Sequence, residues 1–183
     1  MSYLPKRRSI RLPEYDYSQS GYYYVTICTK ERELYFNKDE VKQIIRQHWL
    51  EIPEHFKNVE LDEYIVMPNH IHGIVVIRNC RGEVSSPVNT TPVNTTFNKS
   101  TGAETAPLQR GKYALGQIIA YFKYRSTKYI NNVFKNQSGQ PLWQRNYYEH
   151  IIRNEQSLHK IRQYIRNNPF NWERDRNNPK NWK

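Results

Sequence analysis

Residues 59 to 77 constrain the fold more than any other stretch. Val59 to Met67 alternates in the manner of a strand, Pro68-Asn69 makes a tight corner, and His70 to Ile77 supplies a second strand, so the segment reads as a β-hairpin. Upstream, Gly21-Tyr22-Tyr23-Tyr24-Val25-Thr26-Ile27-Cys28-Thr29 is rich in β-branched and aromatic residues and reads as another strand. Between the two, Lys38 to Leu50 carries Val41, Ile44, Ile45 and Trp49 at helical spacing, and Pro53 closes it. Downstream, Lys112 to Asn131 has an apolar stripe of Leu115, Ile118, Ile119, Phe122 and Ile130. Tyr147 to Arg153 is the fourth strand. A last helix starts at Asn154, carries Leu158, Ile161 and Ile165, and is stopped by Pro169 after Asn168. The order strand, helix, strand, strand, helix, strand, helix predicts an α+β fold, a ferredoxin-like sandwich with an antiparallel sheet and helices on one face.

At 183 residues the chain suits one domain. Three segments stand apart within it: a basic N-terminal arm at 1–20, a flexible low-complexity insertion at 78–110, and a basic C-terminal tail at 170–183. In the insertion the pentapeptide Pro-Val-Asn-Thr-Thr occurs in tandem at 87–91 and 92–96, a composition that cannot bury enough surface to fold alone. Cys28 and Cys80 form no CxxC pair, which argues against a zinc site or a disulfide scaffold. Met1 to Leu12 is basic but has no apolar export signal, so a reducing cytoplasm is expected.

Charge narrows the partner. Lys plus Arg number 28 against 17 Asp plus Glu, a net charge of +11. Such a surplus draws polyanions, because each neutralised phosphate releases a counterion. An anionic membrane is the rival, but no basic amphipathic anchor or long apolar run supports it. Fifteen tyrosines and four tryptophans offer faces on which unpaired bases stack, although many of them fill strand positions.

Met67-Pro68-Asn69-His70-Ile71-His72-Gly73 is the sharpest chemical feature. On a strand, positions i and i+2 share a face, so both imidazoles reach one point on one side of the sheet. Two histidines with one oxygen ligand leave positions open for a substrate. Gly73 keeps the backbone beside the pair uncluttered. The pair alone names neither a metal nor a reaction.

The block Pro68 to Gly73 resembles the His-hydrophobic-His signature of the HUH endonucleases. More narrowly, the chain resembles the single-tyrosine transposases of bacterial insertion sequences, and within them the REP-associated tyrosine transposases. The likeness is carried in order by Arg8 to Leu12 with Tyr15-Asp16-Tyr17, by Leu115 to Ile119, by Phe122-Lys123, by Leu142 to Arg153, and by Tyr164-Ile165-Arg166-Asn167-Asn168-Pro169. The resemblance implies that Tyr164, on the helix after the last strand, is the nucleophile. It implies His70, His72 and Asn168 as metal ligands, Asn168 lying four residues beyond Tyr164 and so on its helix face. Tyr147 and Tyr148 are the reserve nucleophiles.

The cofactor implied is a divalent metal, Mg²⁺ or Mn²⁺, since substrate oxygens favour hard cations. The chemistry implied is cleavage and joining of single-stranded DNA at hairpins of the repetitive extragenic palindrome type, through a 5′-phosphotyrosine. The expected phosphate contacts are Arg7, Arg8, Arg11, Lys123, Arg125, Lys128 and Arg145, with Arg174, Arg176, Lys180 and Lys183 in the tail. Two rival readings share the composition: a hairpin-binding regulator that does not cut, and a metal-dependent nuclease that uses water. A monomer and a homodimer are both compatible with the sequence.

Overall fold

The computed structural model describes residues 14–78, 113–134 and 141–182. Arg7, Arg8, Arg11, Lys112, Lys183 and all of the insertion beyond Arg78, including Cys80, lie outside the described residues. Four strands form one antiparallel sheet: β1 (Gly21–Cys28), β2 (Val59–Met67), β3 (His70–Ile77) and β4 (Tyr148–Ile152). Their spatial order is β2-β3-β1-β4. β2 and β3 are the hairpin expected from the sequence, turning at Pro68-Asn69. The helices are α1 (Asp39–Leu50), the single turn α2 (Ile52–His55), α3 (Leu115–Val133) and α4 (Glu155–Asn167). Among the described residues no helix is long and apolar enough to cross a membrane.

Alternation sorts the side chains of β1 and β3 onto two faces. Tyr23, Val25 and Ile27 of β1 join Ile71, Val75 and Ile77 of β3 in the larger core, covered by Val41, Ile45 and Trp49 of α1 and by Leu115, Ile118, Ile119 and Phe122 of α3. The other face holds a smaller core of Tyr24, Ile74, Val76 and Ile152, covered by Leu158 and Ile165 of α4. The ferredoxin-like α+β class is as expected, with one correction: the helices do not all lie on one face. β1 and β3 are buried on both sides, so α4 crosses beneath the sheet opposite α1 and α3.

Local signals set the helix ends. Asn154 caps α4, its side chain accepting from the Ser157 amide at 2.8 Å. At the start of α3 the Ala114 amide donates to Gln117 Oε1 at 2.9 Å.

Gly73 has a reason that differs from the one expected. A Cβ there would lie 3.0 Å from Trp49 Cη2 and closer still to Cζ2, on the face away from the histidines. Trp49 is fully buried and sits edge-on to Phe122, with centroids 5.2 Å apart. Gly73→Ala is therefore an overpacking change, expected to cost about 1–3 kcal/mol. Its melting temperature should fall by roughly 2–4 °C for each kcal/mol lost. A scan that superimposes on wild type overturns this account of the glycine.

Candidate active site

His70 and His72 point to the α4 face and are almost fully buried. Their Nε2 atoms face each other at 2.9 Å. Each ring is held from behind. His70 Nδ1–H donates to Asn69 Oδ1 at 2.8 Å, and the roles are fixed because Asn69 Nδ2 donates to the carbonyls of Arg32 (2.9 Å) and Asn177 (2.8 Å). His72 Nδ1 lies 2.8 Å from the Tyr24 hydroxyl and 2.9 Å from Thr26 Oγ1. With Nδ1 occupied in this way, Nε2 of His70 presents its lone pair to the shared point, the arrangement a nitrogen ligand needs.

Burial also keeps the pair uncharged. It pulls His70 down to about 2, helped by the positive field of His72, Arg32 and Arg176, and His72 down to about 3, helped by Arg176. An unfolded histidine titrates near 6.5. Between these values the unfolded chain binds more protons, so stability rises with pH across that window and is lost as pH falls below about 6.5. The metal-free protein, held in chelator, is expected to lose up to about 1.4 kcal/mol per histidine for each pH unit between pH 6 and pH 4. Urea midpoints measured along that range check this, and a His72→Gln variant should show the shallower slope. Equal slopes would remove His72 from the acid response.

The tail, expected as a basic extension, folds back over the pair. After α4, Pro169 starts a 3₁₀ segment (Asn168–Arg174), and Trp172 brings its ring to 6.1 Å from His70. Asp175 follows, its Oδ2 3.7 Å from His70 Nε2. Asn177, buried, locks the turn: its amide donates to Asp175 Oδ1 at 2.6 Å, its carbonyl takes Asn69, and its Oδ1 takes the Arg32 guanidinium. Glu31 and Arg32 both have positive φ (52° and 56°), a bend that turns the Arg32 carbonyl onto Asn69. Ligand atoms of His70, His72 and Asp175 lie within 4.8 Å of one another.

Asp175 was not among the expected ligands. Its one sequence signal is an acid set between Arg174 and Arg176. Asn168, which was expected, is 3% exposed, and its Oδ1 has no hydrogen-bond partner among the described residues. In sequence it stands four residues from Tyr164, whose ring approaches His72, and four from Trp172, whose ring approaches His70.

Tyr164 flanks the Ile161/Ile165 stripe yet is no core residue. It is 49% exposed, with its ring 5.4 Å from that of His72 and 6.3 Å from that of Tyr24. Of the reserve tyrosines, Tyr148 sits on β4 with its ring 6.2 Å from Tyr24, and Tyr147 lies under the Lys123 ammonium at 5.5 Å. Lys123 does not extend to solvent. Its Nζ donates to the carbonyls of Gln144 (2.8 Å), Asn146 (3.3 Å) and Arg145 (3.4 Å), and burial pulls it down to about 8. Arg125, Lys128 and Arg145 are exposed.

Two imidazoles at alternate positions of an inner strand of an antiparallel ferredoxin-like sheet thus share a face with a tyrosine of the last helix. The family described as "Transposase IS200 like" matches residues 17–98 and 109–168, and the chain belongs to that family. An uncharacterised protein of Haemophilus influenzae is 36% identical over 178 residues, spanning 92% of this chain and 91% of that protein. A solved REP-associated tyrosine transposase bound to a REP hairpin is 17% identical, with a TM-score of 0.56 over 93% of this chain and 73% of that one. At that identity the likeness is one of fold.

Proposed function

We propose that this chain cuts and rejoins single-stranded DNA beside a hairpin, with Tyr164 as the nucleophile. The observation that carries the reading is a half-exposed phenol whose ring lies 5.4 Å from that of His72, one of two neighbouring buried imidazoles. His70, His72 and Asp175 would hold a divalent cation, with Asn168 Oδ1 as the second oxygen candidate. The fit rests on two buried nitrogens aimed at one point and on a buried amide oxygen with no partner among the described residues. When bound, Mg²⁺ or Mn²⁺ polarises a non-bridging phosphate oxygen and stabilises the charge that builds in the transition state.

The protein's own part is positional and nucleophilic. Tyr164 Oη bonds to phosphorus as the bond from phosphorus to the 3′ oxygen breaks. The phenolic proton goes to solvent, and the departing 3′ oxygen takes a proton from solvent to leave as a free 3′-hydroxyl. The 5′-phosphotyrosine retains the bond energy, so another 3′-hydroxyl attacks it and joins strands without ATP. Arg125, Lys128 and Arg145, with Arg7, Arg8 and Arg11 of the arm, contact phosphates along the strand. Lys123 serves instead to hold the backbone of residues 144–146 that presents Arg145. A hairpin substrate of the REP type is supported by the fold shared with the hairpin-bound transposase.

The test uses a 3′-labelled single strand carrying a REP-type hairpin, incubated with Mn²⁺ and run on a denaturing gel. The expected product is a label that migrates with the protein. Cleaved fragments without that adduct would indicate attack by water, and bound but intact DNA would indicate a regulator; either result overturns the proposal.

A further inference from the structure

β2 carries one residue too many, and the surplus is placed where α4 docks. Leu61 pairs with Val75 and Tyr64 with Gly73, so three steps along β2 match two along β3. Such a bulge flips the alternation of the strand after it. Val59 and Leu61 before it, and Tyr64 and Val66 after it, thereby all face the larger core. The two residues spanned by the irregularity are Asp62 and Glu63. Both turn their carboxylates to α4. Asp62 is gripped by Arg162, whose Nε lies 3.0 Å and 3.1 Å from the two carboxylate oxygens, with a further contact from Nη2. Glu63 accepts from the Arg166 guanidinium, with Nε at 2.9 Å. Arg162 and Arg166 are four residues apart and form one rim of the helix.

Tyr164 is on the opposite rim. At about 100° per residue, Arg162 and Tyr164 are separated by roughly 160° around the axis, with Ile161 and Ile165 between them facing the sheet. The sheet-facing stripe consists of Leu158, Ile161 and Ile165, aliphatic side chains whose contacts are not directional. Apolar packing of this kind holds the helix down but permits it to roll. A roll of about 20° moves a tyrosine hydroxyl, on the order of 10 Å from the axis, by roughly 3 Å. Displacements of about an ångström already reduce rates by roughly 10²-fold.

We propose that Asp62 and Glu63 are positioning residues: through Arg162 and Arg166 they fix the roll of α4 and so the place of Tyr164 beside His72. The bulge, not the hairpin turn, is the feature of β2 that serves the reaction. This rests on Tyr164 being the nucleophile.

The experiment compares wild type with an Asp62→Asn/Glu63→Gln double variant, at saturating Mn²⁺ and with the labelled hairpin strand bound in advance. Single-turnover formation of the adduct is expected to slow by about 10- to 100-fold, while hairpin affinity stays within about twofold. Hydrogen exchange of the α4 amides should quicken and that of β1 and β3 should not. Because the double variant could lose the helix altogether, the exchanged pair Asp62→Arg/Arg162→Asp is measured beside each single change. It should recover at least part of the rate that either single change loses. A double variant that reacts at the wild-type rate with unaltered α4 exchange overturns the proposal, as does an exchanged pair no faster than its singles. If wild type itself gives no adduct, the reading of Tyr164 fails instead, and the exchange of α4 still decides whether these carboxylates hold the helix.

Discussion

Tyr164→Phe is expected to abolish covalent capture of the hairpin strand, lowering adduct formation by on the order of 10³-fold or more, as removal of a nucleophile does elsewhere. The change deletes one oxygen and keeps the ring. The ring keeps its contacts with His72 and Tyr24, at centroid separations of 5.4 Å and 6.3 Å, and only the hydrogen bond between the Tyr164 and Tyr24 hydroxyls is lost with the oxygen. Fold, hairpin affinity and cation binding should therefore all survive, and the loss should appear in the chemical step alone. Tyr147→Phe and Tyr148→Phe serve as controls that keep the adduct. The Tyr147 ring is engaged with the Lys123 ammonium, and Tyr148 projects from a strand. Separate measurement of hairpin affinity and of single-turnover adduct yield distinguishes these outcomes. Undiminished adduct from Tyr164→Phe would take Tyr164 out of the mechanism, and loss of it from Tyr148→Phe would put the reserve residue in its place.

Much of this arrangement was written in local patterns. The hairpin followed from alternation on either side of Pro68-Asn69, and α4 from Asn154, its apolar stripe and Pro169. The common face of His70 and His72 followed from the two-residue period of a strand. What escaped was everything decided by packing between distant segments. The stripe of α4 said that one side is buried but not which face of the sheet receives it. The run Ile74-Val75-Val76-Ile77 in β3 was the clue, since consecutive apolar residues on a strand face both sides and need cover on both. Gly73 was read as keeping the backbone beside the histidine pair uncluttered, whereas its constraint comes from Trp49 on the other side. Lys123 looked like a phosphate contact among other cations, and only the path of residues 144–146 shows what its ammonium holds. Asp175 lies in a stretch with no periodicity, and its approach to His70 depends on Asn177 meeting Asn69 across 108 residues. The slip of alternation between Leu61 and Tyr64 was readable in principle, but a strand with a bulge and a poorly alternating strand look alike until the partner is known.

Removing either imidazole is the second change of large effect. His70→Ala or His72→Ala leaves one nitrogen where two converge, and the apparent affinity for Mn²⁺ should fall by on the order of 10²-fold or more, beyond the 10- to 100-fold typical of losing a residue that only orients a ligand. Adduct formation at a fixed, low Mn²⁺ concentration should fall in parallel, while the protein still binds the hairpin strand, because the proposed phosphate contacts lie elsewhere. The same titration decides the oxygen donor. Asp175 brings a charged oxygen to 3.7 Å from His70 Nε2, whereas Asn168 brings a neutral one with no partner among the described residues. A carboxylate binds a hard cation more tightly than an amide, so Asp175→Ala should raise the half-saturating Mn²⁺ concentration further than Asn168→Ala. If only Asn168→Ala raises it, the tail merely covers the histidines and the third ligand belongs to the tyrosine helix. If both histidine variants react with the wild-type dependence on Mn²⁺, the pair holds no catalytic cation, and the chemistry assigned to this face must be sought without one.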